Sequence, residues 1–420
     1  MKSWRHWLVV GAIVFGCLPG VARAESDVDI LLDTLVQNGT LTPVQAGQVR
    51  RQIAETKEAR NKQLAKEIVP DSARNIKWSG DFRLRDEARE RVGDGKDTNR
   101  QRIRFRLGMD AKVTDDLKVG ARLTSGSTTD PISTNQSLNT SFNHKTLVLD
   151  RAFAEYTPEV PGLNEAKLTG GVMANPLWTL GQLVWDEDLN FDGAAVHLAK
   201  EFGPVTLFTN DGVFSLDTDI VRSSALWSTQ GGMILKPFAE SEDELLKNFK
   251  ATGALAYHDY MNVTSKASDV TAVTNAGGLK GNSAGLKDLN LLNPSFELAS
   301  QYRDVPFSTY FDWVHNTGAP SQNNGFQVGL KLGKARVPFD RLKGWEGGYY
   351  YERLESDATF GAFTDSDFGN GGTNHQGNVY WLKLALLKNS LIGLKIFQTT
   401  QVKLPKANAN TYQMDWVTTF

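Results

Sequence analysis

The residues best placed to do chemistry in this sequence are arginines two positions apart. Arg83 and Arg85 stand in one short run, Arg102, Arg104 and Arg106 in the next, and Arg122 in a third. Ile103, Phe105, Leu107 and Met109 interleave with Arg102, Arg104, Arg106, Gly108 and Asp110, and Phe82 and Leu84 interleave with Asp81, Arg83 and Arg85. A period of two puts the guanidiniums on one face of a strand and the apolar side chains on the other. Guanidiniums stay charged at any working pH. Bordering water, a wall of them lowers the barrier for negative solutes. Paired with acids such as Asp81 and Asp110, the same wall would only keep an interior wet and stiff.

Opposing charge lies at 174–189, where Asp186, Glu187 and Asp188 follow Trp178 and Trp185. Leu177, Leu180, Leu183 and Val184 make this stretch too apolar for a connection bathed in water, so it is expected to pack against the lumen wall or a neighbouring copy. Folded inward, it would set acids against arginines across a constriction. The polar stretch 128–144 is the other candidate. Catalysis is not expected: histidines are scattered, and Ser308 and His315 fall on opposite faces of one run. The glycine-rich stretches 277–285 and 369–377 lack the strand-to-helix setting of a nucleotide loop. Asp365, Asp367 and Asn370 hint at a surface cation loop, but Gln376 stands where a bidentate glutamate belongs. No cofactor and no metal is expected.

The elements that would position these residues divide the chain in three. Residues 1–24 form a signal peptide, with Lys2 and Arg5, an apolar core at 8–15 and Ala22-Arg23-Ala24 as the cleavage site. A lipidated Cys17 is the rival, disfavoured by the bulky Phe15. Cys17 is the only cysteine and leaves with the signal, so disulfides and thiolate metal sites are excluded. Losing the three basic residues of that segment moves the formal charge from −2 to −5, which does not suggest a nucleic-acid partner. Residues 25–76 read as helical: Ile30, Leu31, Leu32, Leu35 and Val36 cluster, Asn38-Gly39 stops the run, and Thr42 caps a second helix with Pro43 at its first position. Val49, Ile53, Leu64 and Ile68 are too sparse a stripe to establish a coiled coil.

From Trp78 onward the period is two. No internal apolar run of eighteen residues exists, which excludes helical membrane spans. A slightly negative mean hydropathy is what alternating lipid-facing and lumen-facing residues average to. About sixteen strands start near 77, 100, 117, 145, 165, 191, 204, 227, 248, 295, 306, 325, 346, 377, 391 and 411. Tight turns at 114–116, 201–203, 303–305 and 388–390 alternate with long polar connections at 126–144, 174–189, 260–294 and 356–376. Residues 77–420 are therefore expected to form an all-β, transmembrane antiparallel barrel, preceded by a short α-helical periplasmic segment. Trp313, Tyr349, Tyr350, Trp381 and Trp416 fit interfacial girdles. Tyr412, Met414, Trp416 and the terminal Phe420 share one face of the last strand, resembling the signal read by barrel-assembly machinery.

The runs 78–87, 99–126, 149–156, 174–178 and 183–193, with 31–46 before them, resemble the putative porin family. That resemblance implies a channel in the Gram-negative outer membrane, surrounded by lipid and lipopolysaccharide and passing small hydrophilic solutes. It names no solute, and a homotrimer follows only by analogy with sixteen-stranded porins. The competing expectation is an anchor whose N-terminal helices tether the outer membrane to the cell wall.

Overall fold

The computed structural model describes residues 27–68, 75–92, 97–138, 141–216, 224–263, 280–284, 286, 288–336, 338, 343–403 and 408–420. The signal peptide lies outside them. The chain forms two compact units, Met1–Arg74 and Asn75–Phe420.

The first unit is a helical hairpin, α1 (Asp27–Gln37) and α2 (Pro43–Ile68). Gly39, at φ +72°, supplies the left-handed residue that ends α1. Thr42 and Gln45 cap α2 reciprocally: the Gln45 amide donates to Thr42 Oγ1 (3.3 Å) and the Thr42 amide to Gln45 Oε1 (2.9 Å). Leu32 and Ala46 are buried in this unit, and Arg50 pairs with Asp33 at 2.7 Å.

The second unit is one sheet. Its strands are β1 (Ile76–Val92), β2 (Thr98–Lys112), β3 (Leu117–Ser125), β4 (Gln136–Ser137), β5 (Leu147–Tyr156), β6 (Glu165–Ala174), β7 (Asn190–Phe202), β8 (Val205–Ser215) and β9 (Ala225–Leu235). Then follow β10 (Lys250–Met261), β11 (Asn290–Tyr302), β12 (Val305–Asn316), β13 (Asn324–Gly333), β14 (Trp345–Leu354), β15 (His375–Leu387), β16 (Ser390–Gln401) and β17 (Asn408–Thr419). β4 is a two-residue bridge onto β2 inside the first long connection, so sixteen strands make the wall. Each runs antiparallel to the next, and β17 returns to β1 with Leu84 opposite Trp416. Closure leaves no edge strand. The largest departure from the expected starts is β11, which begins at Asn290 rather than near 295.

Alternation sets two faces. Along β1, Asp81, Arg83, Arg85, Glu87 and Arg89 turn inward while Phe82 and Leu84 turn outward. Leu330, Leu332, Leu382, Leu394 and Trp416 are exposed on the outside, as an apolar band bathed in hydrocarbon requires. The sheet closes tightly at one point: Phe420 and Gly80 exchange backbone hydrogen bonds (2.8 and 3.0 Å), and the Phe420 ring stacks on Phe105. A Cβ on Gly80 would stand 2.5 Å from that ring, so glycine is needed there.

One rim carries tight turns, such as Arg303-Asp304, both at positive φ. The long connections leave the other rim. Three of them fold into the barrel through residues 132–135, 175–189 and 355–374. Two of the expected girdle aromatics are inward instead: Tyr350 is buried and Trp381 packs against it at 6.1 Å. Their neighbours Tyr349 and Tyr380 take the outward positions and contact each other. Adjacent aromatics on one strand cannot both face lipid, and the run alone does not say which does.

Candidate functional site

The β1–β2 register places Arg83 opposite Arg104 and Arg85 opposite Arg102, so the arginines form a continuous patch on the inward face. Most hold a carboxylate. Asp81 accepts from Arg104 Nε (2.9 Å) and Arg106 Nε (2.5 Å). Asp415, inward on β17, takes Arg85 in a two-pronged pair at 2.7 and 2.9 Å. Glu87 binds Arg100 at 2.7 Å and lies 3.8 Å from Arg102. Arg122 pairs with Asp150 where a bulge interrupts β3 and β5.

Arg83 is the exception. It is 6% exposed, and no carboxylate among the described residues lies within ion-pair distance. Its Nη2 donates to Asn135 Oδ1 (2.6 Å) and its Nε has no partner.

The acidic segment 186–188 faces this wall only in part. Asp188 reaches Arg106 (3.4 Å) and Arg104 (3.7 Å) and accepts from the Thr134 hydroxyl (2.9 Å). Burial opposes its ionisation, but Arg104, Arg83 and Arg106 together hold its carboxyl below the usual range. Glu187 is exposed at the lumen. Asp186 turns from the arginines toward the segment 355–374, accepting from the Ser366 amide (2.8 Å) while its own amide donates to the Phe363 carbonyl (2.8 Å). Burial, then Asp365 and Asp188, push the Asp186 carboxyl well above the ordinary value. Burial likewise raises Asp365, against the pull of Lys395.

Trp185 is not a lumen residue either. It is 3% exposed, edge-on to Phe191 (5.1 Å) and His258 (5.2 Å) and 6.3 Å from Phe363. It centres an apolar cluster that includes Leu183, Tyr260, Leu289 and Phe360 and seats two inward connections against β7–β11. Trp178 does border the cavity; its backbone amide donates to Gln230 Oε1 (2.8 Å) and its carbonyl accepts from Gln230 Nε2 (2.9 Å).

The segment 355–374 was not expected to matter. Asp367 binds Arg85 at 2.8 Å and Asn370 accepts from Arg89. Burial works against the Asp367 carboxylate, yet Arg85 and Lys395 hold it well below the ordinary range. Of Asp365 and Asp367, whose spacing only hinted at a cation loop, the first is buried and the second half-buried, and Asp367 with Asn370 clamps the arginine wall. Within 128–144, residues 132–135 fold inward: Ser133 accepts from Arg102, and Asn135 from Arg83. Strand parity on β17 could have revealed Asp415, which lies between outward Met414 and Trp416. No local pattern announces Asp367 or Asn135.

What these groups enclose is a cavity of about 560 Å³, bordered by Arg83, Arg104, Trp178, Glu187 and, across it, Tyr310 and Lys395. A second, of about 690 Å³, continues toward the tight-turn rim past Lys334 and Asn389. The two share Glu297, Ser308, Lys331, Glu346, Lys383, Leu391 and Val417. In the shared wall Glu346 is held between Lys383 (2.8 Å) and Lys331 (3.7 Å). Tyr412, Met414, Trp416 and Phe420 take no part; they face outward on β17 or seal it at Gly80.

The barrel has solved counterparts. The high-pH structure of Pseudomonas putida OprB superposes with a TM-score of 0.53 at 11% identity, over 82% of this chain and 94% of that one. Salmonella typhi OmpF in complex with daunomycin gives 0.51 at 9% identity, over 82% and 97%. Such low identity carries the fold alone. A search of curated protein sequences returns no match. A family model described as putative porin matches residues 91–290 and 292–420, and the chain belongs to that family, an outer-membrane β-barrel channel of Gram-negative bacteria.

Proposed function

We propose that the barrel passes small hydrophilic solutes by passive diffusion and favours anions. The observation that carries this reading is a pair of cavities that meet at a shared wall, one of them bordered by Arg83, an inward guanidinium with no carboxylate at ion-pair distance among the described residues. Arg83, Arg85 and Arg104 border the conducting path. Arg102, Arg106 and Arg122 stand behind the connections folded over them and set the local potential. Liposome swelling tests the passive part: vesicles holding the full chain swell in small neutral sugars, at rates that fall with solute size. Equal swelling with and without protein would refute it.

The helical unit belongs to the periplasm in this reading, because an even strand count puts both barrel ends on one side. A trimer is supported by the outward faces of β5–β9, where Ala152, Ala154, Gly170 and Ala194 are small and Asp211 sits among them, bonded to Thr229 (2.5 Å). An outward acid is costly in lipid, and a second copy would cover it. The tether reading is favoured by one feature, the exposure of Leu31 and Val44 on the helical hairpin. Co-sedimentation with purified peptidoglycan tests it.

A further inference from the structure

The inward wall beside Arg83 is apolar where a water-filled channel gives no reason for it. Register aligns Arg104, Arg83, Val417 and Leu391 on four neighbouring strands, β2, β1, β17 and β16. Both Val417 and Leu391 are only half-buried and border both cavities. At about 4.8 Å between strands, the row spans roughly 14 Å from guanidinium to leucine. It is framed by satisfied charge: Arg85–Asp415 on one side, Asp81 with Arg104 and Arg106 on the other.

At the basic end two donors are idle. Arg83 Nε is buried without a hydrogen-bond partner, and Arg104 Nη1 makes no hydrogen bond and faces Asp188 only at 3.7 Å. Asn135 fixes the Arg83 fork from behind. A buried charge lacking a counter-ion is costly, and an incoming anion relieves that cost. A guanidinium fork matches the planar, two-pronged geometry of a carboxylate. Val417 and Leu391 would lie under whatever that carboxylate is attached to.

We propose that this row is a binding subsite for organic monocarboxylates with an apolar body, aromatic acids above all. The subsite rests on the channel reading only for how its ligand arrives. The carboxylate sits at Arg83 and Arg104, and the ring lies over Val417 and Leu391. A solute so held crosses by way of a defined resting place rather than by unassisted diffusion.

Equilibrium binding to the full chain in detergent micelles, followed by calorimetry, tests this with four probes: benzoate, benzyl alcohol, acetate and inorganic phosphate. Benzoate is expected to bind at least tenfold more tightly than each of the others. Arg83→Gln abolishes the preference for benzoate over benzyl alcohol. Leu391→Asn abolishes the preference for benzoate over acetate while leaving acetate unchanged. Heat-modifiable migration on gels confirms that both variants keep the barrel. Phosphate binding as tightly as benzoate, acetate matching benzoate, or Arg83→Gln binding benzoate like the parent would each overturn the proposal. Conductance of the same preparations separates the two readings. A barrel that binds benzoate and never conducts keeps the subsite and loses the channel, and a conducting barrel that ignores benzoate does the reverse.

Discussion

The two sides of the lumen hold their inward connections by different physics. On the β1–β2–β17 side, Arg85 and Arg106 clamp Asp367 and Asp188 through charge-assisted hydrogen bonds, with Arg104 adding a longer ion pair to Asp188 at 3.7 Å. On the β7–β11 side, Trp185, Phe360 and Phe363 pack with Leu289 and Tyr260 in a nearly dry cluster. The segments 175–189 and 355–374 touch both sides. Apolar burial supplies the bulk of their attachment without needing direction. The arginines add position, so the acids end at fixed points on the wall. A constriction needs both: one side to keep the connections inside, the other to aim their charges.

The largest effect should come from the apolar side. Trp185→Ala leaves a large void, at a cost of about 3–5 kcal/mol. Limited proteolysis should then cut within 175–189 while the barrel stays folded. Persistent resistance would mean that the arginine clamps alone suffice.

Arg85→Ala comes next. It leaves the Asp367 and Asp415 carboxylates without their main partner, and losing one member of a buried pair costs about 3–5 kcal/mol. The packed cluster should still hold the segments inside. Hydrogen exchange is expected to rise at 364–371 and to stay unchanged at 183–186. Release of both stretches together would erase the distinction between the sides.

The pH response sharpens the same comparison with a smaller effect. Asp367 and Asp188 ionise more readily here than in an unfolded chain. Their contacts are fully present above the ordinary carboxylate value of about 4 and are lost as pH falls through their lowered values. Asp186 has the opposite sign. Burial, Asp365 and Asp188 raise its folded value, so the packing of this carboxyl against 355–374 is most stable below the ordinary value and loses stability as pH rises through the raised one, although the Ser366 amide bond by itself favours the ionised form. Exchange protection at Ser366 should therefore decline on the alkaline side, whereas protection at Thr134, whose amide donates to Asp188, should decline in acid. Parallel decline at both amides would contradict these assignments.

The barrel was legible because its rule is local. Period two along 102–110 or 326–332 states which side chains meet lipid, and short and long connections give the direction of each strand. Thr42 and Pro43 announced the start of α2 for the same reason. The constriction is legible only as far as that rule extends. It placed the arginines inward and would have placed Asp415. Outside the strands there is no period to read, and the contacts that matter join residues far apart: Asp186 to Ser366, Arg85 to Asp367, Asn135 to Arg83. The apolar content of 174–189 showed that the stretch must pack. Its partner, a phenylalanine-bearing segment nearly two hundred residues on, could not be named. The stretch's partner on the wall thus stayed open for Trp185, and Trp381 was placed toward the lipid.

The most direct test is the reversal potential of the full chain in a planar bilayer under a salt gradient. The account predicts stepwise openings, a reversal potential on the anion-selective side, and a shift toward cations in Arg83→Glu. Cation selectivity in the parent, an Arg83→Glu channel indistinguishable from it, or a folded barrel that never conducts would contradict the account.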